Sequence, residues 1–267
     1  MNKHGLWLLA FLLAACNEED VQTYEPETLP TFRRVDFVTV RNDSSIFMYD
    51  EHMQLIAGRC NSVSFGQERF TMQYSDGRLT GAEYETSIGT RYNPAPVDFS
   101  LNRHGMLQAV VREGWDKTFT FTYDDRFRLV SFSVQLPQNG VYNNTVSYDE
   151  QSNVSVIERF SSISGIQGSA RMEFSDYDRS PNPFRLLINV FYAPLFASAY
   201  GPLRYDNTGI SLGLILSVNN PGKIVEYPDA GGSYESIFEY SYGPDNYPVS
   251  INRTDDPSFP LSIIYRK

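Results

Sequence analysis

The feature that most constrains this chain is a punctuation mark repeated about every 25 residues. An aromatic residue closes one run, Asp, Asn or another polar residue follows, and an apolar residue then opens the next run. Tyr49-Asp50-Glu51-His52-Met53-Gln54-Leu55, Tyr74-Ser75-Asp76-Gly77-Arg78-Leu79, Tyr123-Asp124-Asp125-Arg126-Phe127-Arg128-Leu129 and Tyr148-Asp149-Glu150-Gln151-Ser152-Asn153-Val154 all have this form. Leu101-Asn102-Arg103-His104-Gly105-Met106-Leu107 has it without the aromatic, and later copies begin at Tyr205 and Tyr242. The first five anchors fall at 49, 74, 101, 123 and 148, so the spacing is 22 to 27 residues. Asp, Asn and Gly tolerate left-handed backbone and bond to their own turn, so each mark reads as a chain reversal.

Between the marks the sequence alternates. Phe119, Phe121 and Tyr123 interleave with Thr118, Thr120 and Thr122; Val130, Phe132, Val134 and Leu136 interleave with Ser131, Ser133 and Gln135. A period of two is the signature of an antiparallel strand with one buried face. One repeat then equals one hairpin, and the chain is expected to be all-β, with roughly 14–16 strands built from consecutive hairpins. An open sheet of that length twists and curls, so a large curved sheet or a half- or complete barrel is expected. Charged residues inside the runs (Arg69, Glu83, Glu85, Arg112, Glu113, Glu158, Arg159, Arg171, Glu173) are costly on a lipid-facing wall, which favours a barrel bathed in water. Pro183 to Ala199 is densely apolar without alternation and reads as one or two short helices near 183–200 covering an end or edge of the sheet.

The N-terminus carries an address. Lys3 precedes the uncharged apolar run Gly5–Leu13, too short to cross a bilayer, and Leu13-Ala14-Ala15-Cys16 follows. These four residues resemble a bacterial lipobox, which implies cleavage between Ala15 and Cys16 and lipidation of Cys16. Residues 1–15 would be a lipoprotein signal peptide, 16–31 an extended tether rich in acids and proline, and 32–267 a single domain of β-hairpins. Lipid chains on Cys16 would make the membrane the first partner. The run Asn17-Glu18-Glu19-Asp20 resembles the surface-export signal of Bacteroides-type lipoproteins, giving an expected location at the outer membrane, lipid-anchored and on the cell surface. With Cys16 acylated, Cys60 has no disulfide partner and is expected to be buried and inert in a strand.

The search for chemistry returns little. A net charge of −10 argues against a nucleic-acid partner. The sequence contains no nucleophile-elbow, zinc-protease, Cys-x-x-Cys or Walker pattern, and no cofactor or metal is expected. His52 and His104 lie in separate turns. Asp124-Asp125 and Asp255-Asp256 are neighbours rather than carboxyl groups facing each other across a sugar. Asp176 and Asp178 are oxygen donors of the kind Ca²⁺ takes, although a turn closed by Asn182 accounts for them as well. Catalysis is therefore not expected. The readings carried forward are a non-catalytic binding module for a glycan or protein ligand (its motive the Tyr residues and Trp115), a periplasm-facing component holding lipid or a partner protein, and a glycan-processing enzyme.

Two further segments complete the pattern: Phe174-Ser175-Asp176-Tyr177-Asp178 followed by Pro181-Asn182-Pro183-Phe184, and Tyr240-Ser241-Tyr242 leading to Asp245-Asn246-Tyr247-Pro248-Val249. Together with the lipobox, the acidic tail and the Tyr-Asp hairpins, they resemble a family of uncharacterised Bacteroides-type outer-membrane lipoproteins with a porin-like fold. The resemblance covers residues 32–267. It implies a fold and a location, and it brings no catalytic residues. Tyr-Asp hairpins also occur in Rhs-type repeat proteins.

Overall fold

The computed structural model describes residues 35–40, 43–52, 54–62, 66–88, 91–112, 118–136, 139–187, 216–229, 231–255 and 260–265. Sixteen strands make up almost all of it. The first eight are β1 (Val35–Val40), β2 (Asp43–Tyr49), β3 (Leu55–Ser62), β4 (Gly66–Ser75), β5 (Arg78–Ile88), β6 (Arg91–Leu101), β7 (Leu107–Arg112) and β8 (Thr118–Tyr123). The second eight are β9 (Leu129–Gln135), β10 (Val141–Tyr148), β11 (Val154–Ile163), β12 (Ile166–Ser175), β13 (Lys223–Tyr227), β14 (Tyr234–Tyr242), β15 (Pro248–Arg253) and β16 (Pro260–Tyr265). Each pairs antiparallel with its neighbours in sequence, and β1 pairs with β16, so the ribbon closes into a barrel. Of the curved sheet, half-barrel and barrel expected from the sequence, the closed barrel is what forms.

The alternation in sequence becomes the two faces of the wall. Val38, Phe47, Phe70, Met72, Val97, Phe99, Phe119, Phe121, Phe132, Val134, Ile157, Met172, Phe174 and Ile224 point inward and form one buried cluster. Thr71, Gln73, Asp98, Thr120, Thr122, Thr145, Glu158 and Arg171 are exposed on the outside. A round barrel of sixteen strands would leave a water channel. Inward side chains this thoroughly buried mean that the interior is filled rather than open at the described residues, and Phe184 and Leu216 of the segment between β12 and β13 join that filling. This polarity is the reverse of a membrane-spanning barrel, which is apolar outside and polar within.

The punctuation marks among the described residues gather at one end of the barrel, the turn end; the copy that begins at Tyr205 lies outside the described residues. In the five-residue turn after β8, Asp124 Oδ1 accepts the N–H groups of Arg126 and Arg128 at 3.0 and 2.8 Å. Phe127 takes the left-handed conformation (φ 59°) and donates its N–H to the Asp124 carbonyl. Asn102 and Asp50 accept the equivalent N–H groups in their own turns. One step into each of these hairpins the register slips by a residue, as between Thr122 and Tyr123.

Tyrosines at or near the strand ends, several of them the aromatics of the marks, have a separate task. Tyr74 donates its hydroxyl to the Leu55 carbonyl at 2.8 Å, Tyr148 to Leu129 at 2.9 Å and Tyr240 to Pro221 at 2.8 Å. Tyr49, Tyr177 and Tyr265 do the same to Val35, Val154 and Pro248. Each bond runs from the end of one strand to the start of the strand before it. Tyrosine clasps thus recur around the turn end on β2, β4, β10, β14 and β16 and just past β12, whereas β6 ends in Leu101, which has no hydroxyl to offer.

Between β12 and β13 the chain makes its long excursion. Pro183–Leu187 forms a 3₁₀ turn that drives Phe184, fully buried, into the core. This answers to the short helices expected near 183–200; residues 188–215, which include the rest of that expectation, lie outside the described residues.

Candidate functional site

The residues singled out in the sequence divide cleanly. Ala15, Cys16 and Trp115 lie outside the described residues. Cys60 sits in β3, as expected, and its side chain is outside the described set. His52 is exposed beside Glu51 in the turn after β2, whereas His104, in the turn after β6, packs its ring 5.4 Å from that of Phe127. The turn after β4 stands between them in the ring of hairpins, so the two do not form a pair. Asp124 is bound by its own turn and by Arg128 (2.8 Å), and Asp255 by Arg253 (2.5 Å). Among the described residues no group of three His, Cys, Asp or Glu side chains is arranged to hold a metal.

Asp178 is the best-connected acid. Its carboxylate accepts the N–H of Ser180 (3.0 Å) and the backbone and side-chain N–H groups of Asn220 (3.2 and 3.1 Å), together with the hydroxyl of Tyr242. Around it, Asn182 Nδ2 donates to the Ser217 carbonyl (3.0 Å) while its Oδ1 accepts the Phe184 N–H (3.0 Å). Asn153 Oδ1 accepts the Asn219 N–H at 2.8 Å. Ser217 Oγ accepts the Val154 N–H at 3.1 Å and, with the Tyr177 hydrogen committed to Val154, donates to the Tyr177 oxygen at 3.0 Å. Asn182, Ser217, Asn220 and Asn153 are all buried. These groups fasten the two feet of the excursion together and to β11, with Asn182 bonded to Ser217 and Phe184 rather than to Asp178. Burial raises the Tyr148 and Tyr177 phenols well above the ordinary tyrosine value, as expected for hydroxyls that must stay protonated to donate.

The opposite end, the loop end, is different. There the tips of two adjacent hairpins expose apolar and aromatic side chains. Ile163 and Ile166 flank the turn between β11 and β12, with Ile166 76% exposed, and Phe160 stands on the outer face just below. Tyr227 and Tyr234, the latter 68% exposed, flank the turn between β13 and β14, which carries Asp229 and the left-handed Gly231 and Gly232. Asp229 reaches across to the neighbouring tip: a Cβ added to Gly168 would lie 2.4 Å from its Oδ2. Gln167, next to Ile166 at the first tip, is exposed as well. Rings that offer a flat face next to carboxylate and amide groups can stack on a sugar and bind its hydroxyls. No Tyr-Asp mark occurs at these tips, so the repeat that revealed the fold passed over the rim. The available signals were Gly231-Gly232 and the short Ile163–Ile166 turn.

No family model matches the chain, and no curated protein matches it significantly. Among solved structures, it is similar to a porin-like protein from Bacteroides uniformis, with 11% identity and a TM-score of 0.53 over 87% of this chain and 98% of that one. A porin-like protein from Bacteroides vulgatus aligns over 88% of this chain and 99% of that one, with 12% identity and a TM-score of 0.42. The first of these likenesses, together with the closed strand order, makes the fold a porin-like closed barrel.

Proposed function

We propose that this chain is a lipid-anchored protein of the outer membrane, tethered through Cys16, whose barrel is a non-catalytic binding module taking a glycan at its loop-end rim. The observation that carries the binding role is the exposure of Tyr227 and Tyr234 on the two sides of one hairpin tip, with Phe160 on the adjacent hairpin and Asp229 reaching toward Gly168 between them. The Leu13-Ala14-Ala15-Cys16 motif and the acids behind it support the anchor and surface display. The engagement of Asp124, Asp178 and Asp255 in turns and pairs supports binding over catalysis.

The test is a glycan array probed with the mature chain and with a Tyr227→Ser/Tyr234→Ser variant. Retention of glycans by the mature chain and their loss by the variant is the expected result. No retained glycan, or retention indifferent to the two tyrosines, contradicts it. Protease shaving of intact cells addresses display: removal of the barrel is expected, and protection would favour the periplasm-facing reading.

A further inference from the structure

We infer that the barrel does not hang free on its tether but rests on the bilayer through an apolar patch around the point where the tether joins it. The inference rests on the lipid-anchor reading above. The wall is polar over most of its described outer surface, but not at the closing seam. There Phe37 of β1 pairs directly with Ile264 of β16 on one side and Ile46 of β2 on the other, placing three apolar side chains in one outward row. Met48 follows on β2, and Ile56 and Val249 come just after the flanking turns on β3 and β15. Ile264 is 56% and Met48 47% exposed, and Asp36, Phe37, Ile46 and Met48 line a shallow open groove. Toward the loop end the same strands turn outward Thr39, Ser44, Ser250 and Ser262. Away from the seam the outer wall carries Glu83, Glu158, Arg171, Glu173, Lys223 and Glu235.

Position identifies the occupant. β1 starts at the turn end with Val35, so the tether from Cys16 joins the barrel two residues from Phe37. The nineteen residues from 16 to 34 span no more than about 65 Å even when fully extended, which keeps this patch at high effective concentration beside the bilayer. A patch too small to hold a free partner is then sufficient. Six side chains, each partly covered by its neighbours, fall short of the roughly 800 Å² per partner of a stable protein interface, which argues against a second copy. Ile, Met and Phe among hydroxyl side chains suit shallow insertion at the acyl boundary. In this pose the seam and turn end face the membrane and the Tyr227/Tyr234 rim faces away.

Hydroxyl-radical footprinting of the acylated full chain on phosphatidylcholine vesicles tests the inference, with the unacylated Cys16→Ser chain in solution as the reference. Met48 and Ile264 should oxidise several-fold more slowly on vesicles, with Tyr234 unchanged. Equal rates at Met48 and Ile264 while the chain floats with the vesicles overturn the membrane contact and leave the anchor intact. Protection without vesicles that grows with protein concentration overturns it in favour of a second copy. A wild-type chain that carries no lipid and fails to float removes the anchor and this inference together.

Discussion

The two ends of the barrel are made in opposite ways. At the turn end, side-chain oxygens of Asp50, Asn102 and Asp124 close five-residue turns, tyrosines clasp the backbone, and buried asparagines pin the long excursion. At the loop end of β11–β14 the tips are held by backbone pairing and left-handed residues such as Ser164 and Gly165, while their larger side chains face water. The difference teaches a division of labour. Side-chain hydrogen bonds are concentrated where the repeat lies, whereas the tips of β11–β14 leave their larger side chains exposed.

The comparison can be broken from its strong side. Phe184→Ala should cost about 3–5 kcal/mol in urea unfolding, because it empties a fully buried site beneath the excursion. A loss below 1 kcal/mol would mean that the excursion does not plug the core. Asp124→Ala removes both turn hydrogen bonds and the Arg128 ion pair, and about 2–3 kcal/mol should go with them. Tyr148→Phe strands the Leu129 carbonyl and should cost about 1–2 kcal/mol.

The clasps also set a pH limit. Burial raises the Tyr74, Tyr148 and Tyr177 phenols above the ordinary value of 10.0, so their contribution is complete below pH 10. It is lost as the pH rises from there toward the folded-state values. Thermal melts should therefore be level up to about pH 10 and fall steeply above it, less so in Tyr148→Phe. A flat profile to pH 12 would remove the clasps from the account. The smallest effect belongs to the loop end: Tyr234→Ser should change stability by no more than about 0.5 kcal/mol while weakening glycan retention. A large loss of stability there would erase the contrast between the ends.

Much of the turn end is legible in the sequence because its causes are local. Asp124 bonds to residues two and four positions on, and the alternation through Phe119, Thr120 and Phe121 needs no partner to be read. Closure is not local: nothing in Val35–Val40 announces pairing with Pro260–Tyr265. The asparagine staple is equally hidden, because Asn153 meets Asn219 across 66 residues and Asn182 meets Ser217 across 35. The rim escaped because exposure of Ile166 and Tyr234 depends on which way a hairpin tip leans. The seam patch required knowing that the first and last strands are neighbours.

The central claim is the polarity of the wall, apolar and buried inside, largely polar and exposed outside away from the seam. Its most direct test is the reaction of a charged maleimide, without detergent, with single cysteines along β8 in an acylated Cys60→Ser chain displayed on vesicles. Thr120→Cys and Thr122→Cys should react at the rate of a free thiol, and Phe119→Cys and Phe121→Cys should stay unmodified until the protein is unfolded. Rapid labelling at 119 and 121 with protection at 120 and 122 would mean a water-filled lumen inside a lipid-facing wall, and would contradict the account.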